Sequence, residues 1–184
     1  MSHPAFTCLR RVHIPTLNVE LQEYRHLVTG ARHLHLAADD TNNVFAVSVP
    51  TVPQDSTGVA HILEHTTLCG SKHYPVRDPF FMMTRRSLNT FMNAFTSSDW
   101  TAYPFASQNV KDFENLLHVY LDAVFFPILD PLDFAQEGHR LEFATPNDPS
   151  QALVRKGVVF NEMKGALSST TQMLWQTISA ALFP

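Results

Sequence analysis

The sequence predicts an α+β fold, a largely antiparallel sheet with helices packed on one face. Alternating apolar and polar segments dominate the first part of the chain, and helical periodicity dominates the later part. Hydrophobic residues make up 45% and charged residues 16% of the sequence, a composition typical of globular domains. A chain of 184 residues is long enough for one well-buried domain.

Three early segments alternate between apolar and polar residues, the pattern of half-buried strands. They are VELQ from Val19, RHLHLAA from Arg32 and NVFAVSVP from Asn43. Thr29 and Gly30 form a plausible turn between the first two segments. We therefore expect a hairpin followed by a third strand.

The next stretch combines a loop, a helix and two further strands. In the loop VPQDSTG, Ser56 or Thr57 is the expected N-cap of the helix that follows. The segment NTFMNAFTSSDWTAYPFA predicts two strands joined around residues 97–99. We expect its larger aromatic side chains to serve the core, namely Phe91, Phe95 and Trp100.

The later part of the chain is predicted to be mainly helical. The clearest helix has apolar residues at i, i+3, i+4, i+7 and i+8 between Phe113 and Phe125. Asp130 before Pro131 indicates a second helix start. A third helical stretch is expected from about Gln151 past Leu167, and the segment QMLWQTISAALF predicts a fourth.

The charge and the cysteine content limit the partners and the cellular location that we expect for this protein. A net charge of −4 without a long basic run gives no reason to expect nucleic acid or an anionic membrane as partner. No stretch approaches the ~18 apolar residues of a membrane span. Two cysteines, Cys8 and Cys69, are too few for a disulfide framework. We expect a cytoplasmic protein, or an organelle matrix protein if the chain is a processed form.

The segment HILEH carries the most specific chemical pattern in the sequence. On a helix, His61 and His65 lie about 40° apart around the axis, with Glu64 about 60° to the other side of His61. Two imidazoles one turn apart can hold a zinc ion, and a nearby carboxylate can accept the proton of a water molecule. The order H-x-x-E-H is the inverzincin arrangement.

A catalytic zinc site needs a third protein ligand. Glu162 follows an apolar run and lies 97 positions after His65. Glu137 and Glu142, in the segment QEGHRLEF, are competing candidates. The spacing in the sequence does not show which of the three carboxylates is the third ligand.

Four ordered segments resemble the pitrilysin/insulinase family of zinc metallopeptidases, most closely its presequence protease branch. They are GVAHILEHTTLCGSKHYPVRDPF, SLNTFMNAFTSSDWTAYPFA, NLLHVYLDAVFFPIL and KGVVFNEMKG. The resemblance implies one zinc ion per chain, held by His61, His65 and Glu162, with Glu64 as general base. It also favours Glu162 over the two other candidate ligands.

The resemblance implies a peptide-binding strand as well. In related enzymes the strand that matches NAFT is an exposed sheet edge that pairs with the substrate backbone. By this likeness Asn93, Ala94, Phe95 and Thr96 bind substrate. Family members are far longer, so residues 1–184 are expected to be the N-terminal part of a pitrilysin-type catalytic domain whose C-terminal half is missing.

Two functions follow from these observations. The first is a zinc-dependent endopeptidase that hydrolyses short unfolded peptides, seen here as a fragment that is inactive or weakly active and prone to self-association. The alternative is a non-catalytic, peptide-binding remnant that retains zinc. The presence of Glu64 favours the peptidase, because a binding module does not need a general base.

Overall fold

The structure, a computed structural model, describes residues 3–183. The chain divides into two compact units, one ending at Thr41 and the other beginning at Asn42. The first unit contains β1 (Phe6–Ile14), β2 (Val19–His26) and β3 (Arg32–Ala37). The second contains β4 (Asn43–Pro50), α1 (Val59–Thr67), α2 (Pro79–Arg86), β5 (Asn89–Met92), β6 (Phe95–Thr96), β7 (Trp100–Ser107), α3 (Val110–Phe125), α4 (Pro131–Glu137), β8 (Arg140–Phe143), β9 (Leu153–Lys156), α5 (Val158–Ala166) and α6 (Thr170–Leu182).

The first unit is a three-stranded antiparallel sheet in the order β1-β2-β3. The predicted hairpin is present, and Gly30 adopts a φ of 74° in its turn. Strand β1 was not predicted, because a register shift between Cys8 and Arg10 interrupts its alternation. Arg32 and Arg10 hydrogen-bond the buried Glu23 carboxylate, and these bonds lower the pKa of Glu23.

Strand β7 is the centre of the sheet in the second unit. Strand β4 pairs with one side of β7, and β5 and β6 pair with the other side. The predicted turn between β6 and β7 is present, and the Ser97 N–H donates to the Trp100 carbonyl over 2.8 Å. Helix α3 covers one face of this sheet, where Phe105 packs against Tyr120.

The three aromatic residues expected in the core are exposed, so that expectation was wrong. Phe95 and Phe91 pair across the sheet with Ala102 and Ala106, and cross-strand partners share a face. Trp100 is also on that face, opposite the face that α3 covers. The core is instead built from the other side of β7 and from α3, by Tyr103, Phe105, Leu116 and Tyr120.

Helices α3, α4 and α6 lie where the sequence predicts them. The Asn109 side chain caps α3 by accepting from the Asp112 N–H, and Asp130 caps α4 in the same way. Helix α2 was not predicted, because a segment of eight residues is too short to establish an apolar stripe.

Within residues 3–183, no helix has both the length and the apolar character that a membrane crossing requires.

Two local predictions were wrong. Helix α1 is preceded by Gly58 at a φ of 74°, without a side-chain cap from Ser56 or Thr57. The stretch expected to be helical from Gln151 begins as β9, which pairs with β8, and its helix starts only at Val158. An ion pair between Glu142 of β8 and Lys156 of β9 links these two strands, an interaction between elements that helical periodicity does not reveal.

Candidate metal centre

Helix α1 presents the H-x-x-E-H motif on one face, as its 3.6-residue period requires. The rings of His61 and His65 lie 5.0 Å apart between centroids. Their Nε2 atoms approach the same carboxylate oxygen, Oε2 of Glu162, at 3.5 Å and 3.6 Å. Within residues 3–183, this is the one group of three or more metal-type side chains whose ligand atoms all lie within 4.8 Å of one another.

These distances fit a tetrahedral zinc ion. Ligand atoms about 2.1 Å from zinc at tetrahedral angles lie about 3.4 Å from one another. The separations of 3.5 Å and 3.6 Å agree with this value. Two imidazole nitrogens and one carboxylate also form a donor set that suits zinc and leaves a fourth position open.

Glu162 reaches the centre because α5 begins beside the end of α4. Gly157 precedes α5, and Gly138 follows α4. A Cβ atom at position 157 would lie 1.9 Å from the Gly138 carbonyl oxygen. Glycine at position 157 therefore allows the two backbones to pack closely, and this packing fixes the start of the helix that carries Glu162.

The structure places the two competing carboxylates elsewhere. Glu137 is buried behind the centre, where its Oε2 lies 3.0 Å from Nδ1 of His65. Gln136 donates to the other oxygen of Glu137. Glu142 lies on β8 and pairs with Arg140 and Lys156. The sequence predicts Glu137 only as a candidate ligand. Its contact with the far side of the His65 ring joins residues 72 positions apart, and no local pattern indicates it.

Glu64 shares a face of helix α1 with the two histidines and is only 7% exposed. The hydroxyl of Thr96 donates to its Oε2 over 2.6 Å. A carboxylate held at one oxygen keeps the other oxygen available as a proton acceptor. The sequence assigned Thr96 to substrate binding, and no local signal linked it to Glu64, 32 positions away.

The strand predicted to bind substrate is at an edge of the sheet. Among the described residues, strand β6 pairs with β7 on one side and with no strand on the other. The Asn93 side-chain oxygen accepts from the Ala94 N–H over 2.9 Å, and Tyr120 donates to the Asn93 carbonyl. Phe95 is exposed and stacks with Phe91. A second peptide can add to such an edge by backbone hydrogen bonding.

Cys69 lies just after the motif helix and is buried. Its thiol is 3.4 Å from the His65 carbonyl oxygen. Burial, reinforced by the charges of Asp133 and Glu137, raises the pKa of the Cys69 thiol to about 12. The thiol is therefore protonated at neutral pH and acts as a small packing group.

Comparisons with known proteins relate this chain to a family of peptidases. Residues 52–171 match the family model "Insulinase (Peptidase family M16)". Proteins named "Presequence protease, mitochondrial" are 58% identical in Danio rerio and 56% identical in Mus musculus, each over 97% of this chain. The protein of that name in Eremothecium gossypii is 55% identical over 95% of this chain. The chain spans only 17–18% of the length of these relatives.

The fold is also that of a solved member of this group. The crystal structure of pitrilysin matches with a TM-score of 0.61 and 24% sequence identity, over 72% of this chain and 14% of the pitrilysin chain. The mixed α/β architecture with antiparallel sheets is thus a pitrilysin-like fold. The chain belongs to the insulinase family of metallopeptidases, peptidase family M16.

Proposed function

We propose that this chain carries the metal centre of a zinc-dependent endopeptidase that hydrolyses short unfolded peptides. The observation that carries the proposal is the convergence of His61, His65 and Glu162 on one point, next to a helix that also carries the buried Glu64. The relatives named presequence protease support a peptide substrate. The exposed edge of β6 is suited to bind an extended peptide through its backbone.

In this proposal each residue has one role. A zinc ion bound by His61, His65 and Glu162 would polarise a water molecule and the peptide carbonyl. Glu64 accepts the proton of the attacking water and later donates it to the leaving amine. Residues 93–96 hold the peptide backbone at the sheet edge, so that its scissile bond lies close to Glu64.

We further propose that residues 1–184 are the N-terminal part of a longer catalytic domain. The low share of the relatives' length that this chain covers supports this proposal. The missing C-terminal half would then be the partner that closes over the edge of β6. Because the relatives are named mitochondrial, we also propose an organelle matrix as the location, with the cytoplasm as the alternative.

The alternative function is a non-catalytic peptide-binding module that retains zinc. The position of Glu64 argues against it. A buried carboxylate costs stability unless it is hydrogen-bonded, and a metal site that only binds peptide does not need one. Glu64 is nevertheless buried on the helix that carries the two histidines, and Thr96 donates a hydrogen bond to it.

Two measurements test the proposal. Elemental analysis of the zinc-loaded chain should give about one zinc per molecule, none for His65→Ala, and an unchanged amount for Glu64→Gln. Activity is measured in a chimera in which this chain replaces the matching segment of the Danio rerio protein. There Glu64→Gln should lower kcat for a quenched fluorescent peptide by about 10²–10⁴-fold. Near-normal turnover in that variant would show that Glu64 is not the general base. Absence of turnover in the unmutated chimera would favour the peptide-binding module.

A further inference from the structure

Thr96 lies where two parts of the proposed site meet. Its side chain donates to Oε2 of Glu64, and the residue itself belongs to the edge strand β6. Strand β6 has only two residues, and Thr96 pairs directly with Thr101 of β7. One residue thus connects the edge strand to the carboxylate beside the metal centre.

The backbone of Thr96 faces the open edge. The N–H groups of Asn93 and Ser97 donate to the carbonyls of Pro104 and Trp100 of β7, at 3.1 Å and 2.8 Å. Backbone groups alternate in direction along an antiparallel strand, so those of Thr96 point away from β7. A peptide that adds to this edge would meet the Thr96 backbone while the Thr96 side chain still holds Glu64.

A row of hydroxyl groups orients this side chain. Oγ1 of Thr101 lies 3.4 Å from Oγ1 of Thr96 and 2.8 Å from Oγ1 of Thr51. An ionised carboxylate only accepts hydrogen bonds, so the Thr96 hydroxyl donates its one hydrogen to Glu64 and acts as the acceptor toward Thr101. Each hydroxyl in the row then donates to the next group: Thr51 donates to Thr101, Thr101 donates to Thr96, and Thr96 donates to Glu64.

We propose that Thr96 is a positioning residue that fixes the Glu64 carboxylate through Oε2 and leaves Oε1 to accept the proton. This proposal rests on the proposed peptidase function. Because the same residue offers its backbone to the substrate, binding of a peptide at the β6 edge and orientation of Glu64 depend on one element. Thr96 acts through Glu64 and does not touch the reacting atoms.

Kinetics of the chimera provide the first test. Thr96→Val keeps the shape and strand preference of the residue but removes the hydroxyl. Loss of orientation at the base should lower kcat by about 10–100-fold. KM should stay within about twofold, because the backbone that pairs with the peptide is unchanged. Thr96→Ser should restore kcat to within about threefold, since it restores the donor.

Thr90→Val is the matched control. Thr90 lies on the neighbouring strand β5, and its hydroxyl donates to Asn42, not to the metal centre. The same chemical change there should leave kcat unchanged. Equal losses of kcat in Thr96→Val and Thr90→Val would show that valine disturbs the strands themselves, and this result would overturn the proposal.

The second test does not depend on activity. In the metal-free chain labelled with ¹³C at glutamate carboxyl groups, the Glu64 signal is the one absent from Glu64→Gln. Thr96→Val should shift this signal at pH 7, Thr96→Ser should keep it near its original position, and Thr90→Val should not move it. Zinc content should be unchanged in all three variants.

The outcomes separate the two proposals. If the chain binds no zinc or the chimera does not cleave peptides, the peptidase function fails, while the carboxyl signal still decides whether Thr96 holds Glu64. An unshifted signal in Thr96→Val, or an unchanged kcat, would overturn the role of Thr96. Loss of zinc binding in Thr96→Val would also overturn it, because Thr96 would then support the centre as a whole.

Discussion

At the scale of single residues, His65 is held from both sides of its ring. Nε2 faces the carboxylate of Glu162, and Nδ1 lies 3.0 Å from Oε2 of Glu137. A proton on Nδ1 would donate to Glu137 and leave the lone pair of Nε2 directed at the metal position. Glu137 thus selects the tautomer that can bind a metal ion.

This role of Glu137 can be measured. Glu137→Gln should weaken zinc binding by about 10–100-fold, the usual effect of removing a carboxylate behind a histidine ligand. Glu142→Gln is the control, because Glu142 pairs only with Arg140 and Lys156 among the contacts described for it. Competition with a chelator gives both affinities. Equal affinities in the two variants would show that Glu137 does not orient His65.

At the scale of secondary-structure elements, the close approach of α4 and α5 decides where Glu162 lies. The two helices meet where Gly138 ends one and Gly157 starts the other. The carbonyl oxygen of Gly138 lies where a Cβ atom of residue 157 would be, and Gly157 has no such atom. The geometry of the metal centre therefore depends on a backbone contact between two residues that are not themselves ligands, Gly138 and Gly157.

Gly157→Ala should consequently displace α5. Relief of the 1.9 Å contact requires a backbone shift, and overpacking of this kind costs about 1–3 kcal/mol. We expect a lower midpoint of thermal unfolding and at least tenfold weaker zinc binding. Gly165→Ala is a matched control in the same helix, since its Cβ would meet no atom within 4 Å. That change should raise helix stability by up to about 1 kcal/mol.

Circular dichroism and chelator competition measure these two effects. The prediction fails if Gly157→Ala binds zinc as tightly as Gly165→Ala. In that case the position of Glu162 would not depend on the Gly138–Gly157 contact.

At the scale of the whole molecule, much apolar surface is exposed. Helix α6 has no buried residue, and its apolar side chains are open to solvent along its length, namely Met173, Leu174, Trp175, Ile178 and Leu182. The edge of β6 also has no further strand among the described residues. Open sheet edges and large apolar patches favour association with other chains.

The isolated chain should therefore self-associate and show little peptidase activity, even when zinc is bound. Proton transfer needs only residues that are present, but catalysis also needs the peptide held in place, and a misplacement of ~1 Å costs ~10²-fold. Light scattering should detect oligomers whose size falls when Trp175→Gln and Leu182→Gln are combined. Robust cleavage by the isolated chain, lost only in Glu64→Gln, would contradict this expectation.

The fold class and most elements follow from local patterns in the sequence. Alternation in Val19–His26 and Asn43–Pro50 and the apolar stripe of Val110–Phe125 are properties of neighbouring residues, and these elements are present. The placement of His61, Glu64 and His65 on one face also follows from helix geometry alone. Local patterns failed where an interaction with another element decides the structure, as in the β9 strand beside β8.

The pairing of distant residues was decided only by the tertiary structure. Three carboxylates were equal candidates for the third ligand by spacing, and only the family resemblance favoured Glu162. The packing of α5 against α4 brings Glu162 beside the histidines. The contact of Glu137 with His65 joins residues 72 positions apart, and that of Thr96 with Glu64 joins residues 32 positions apart. The sequence by itself determines which side chains one helix turn brings together. Contacts across the chain depend on how elements pack, and no local period encodes that packing.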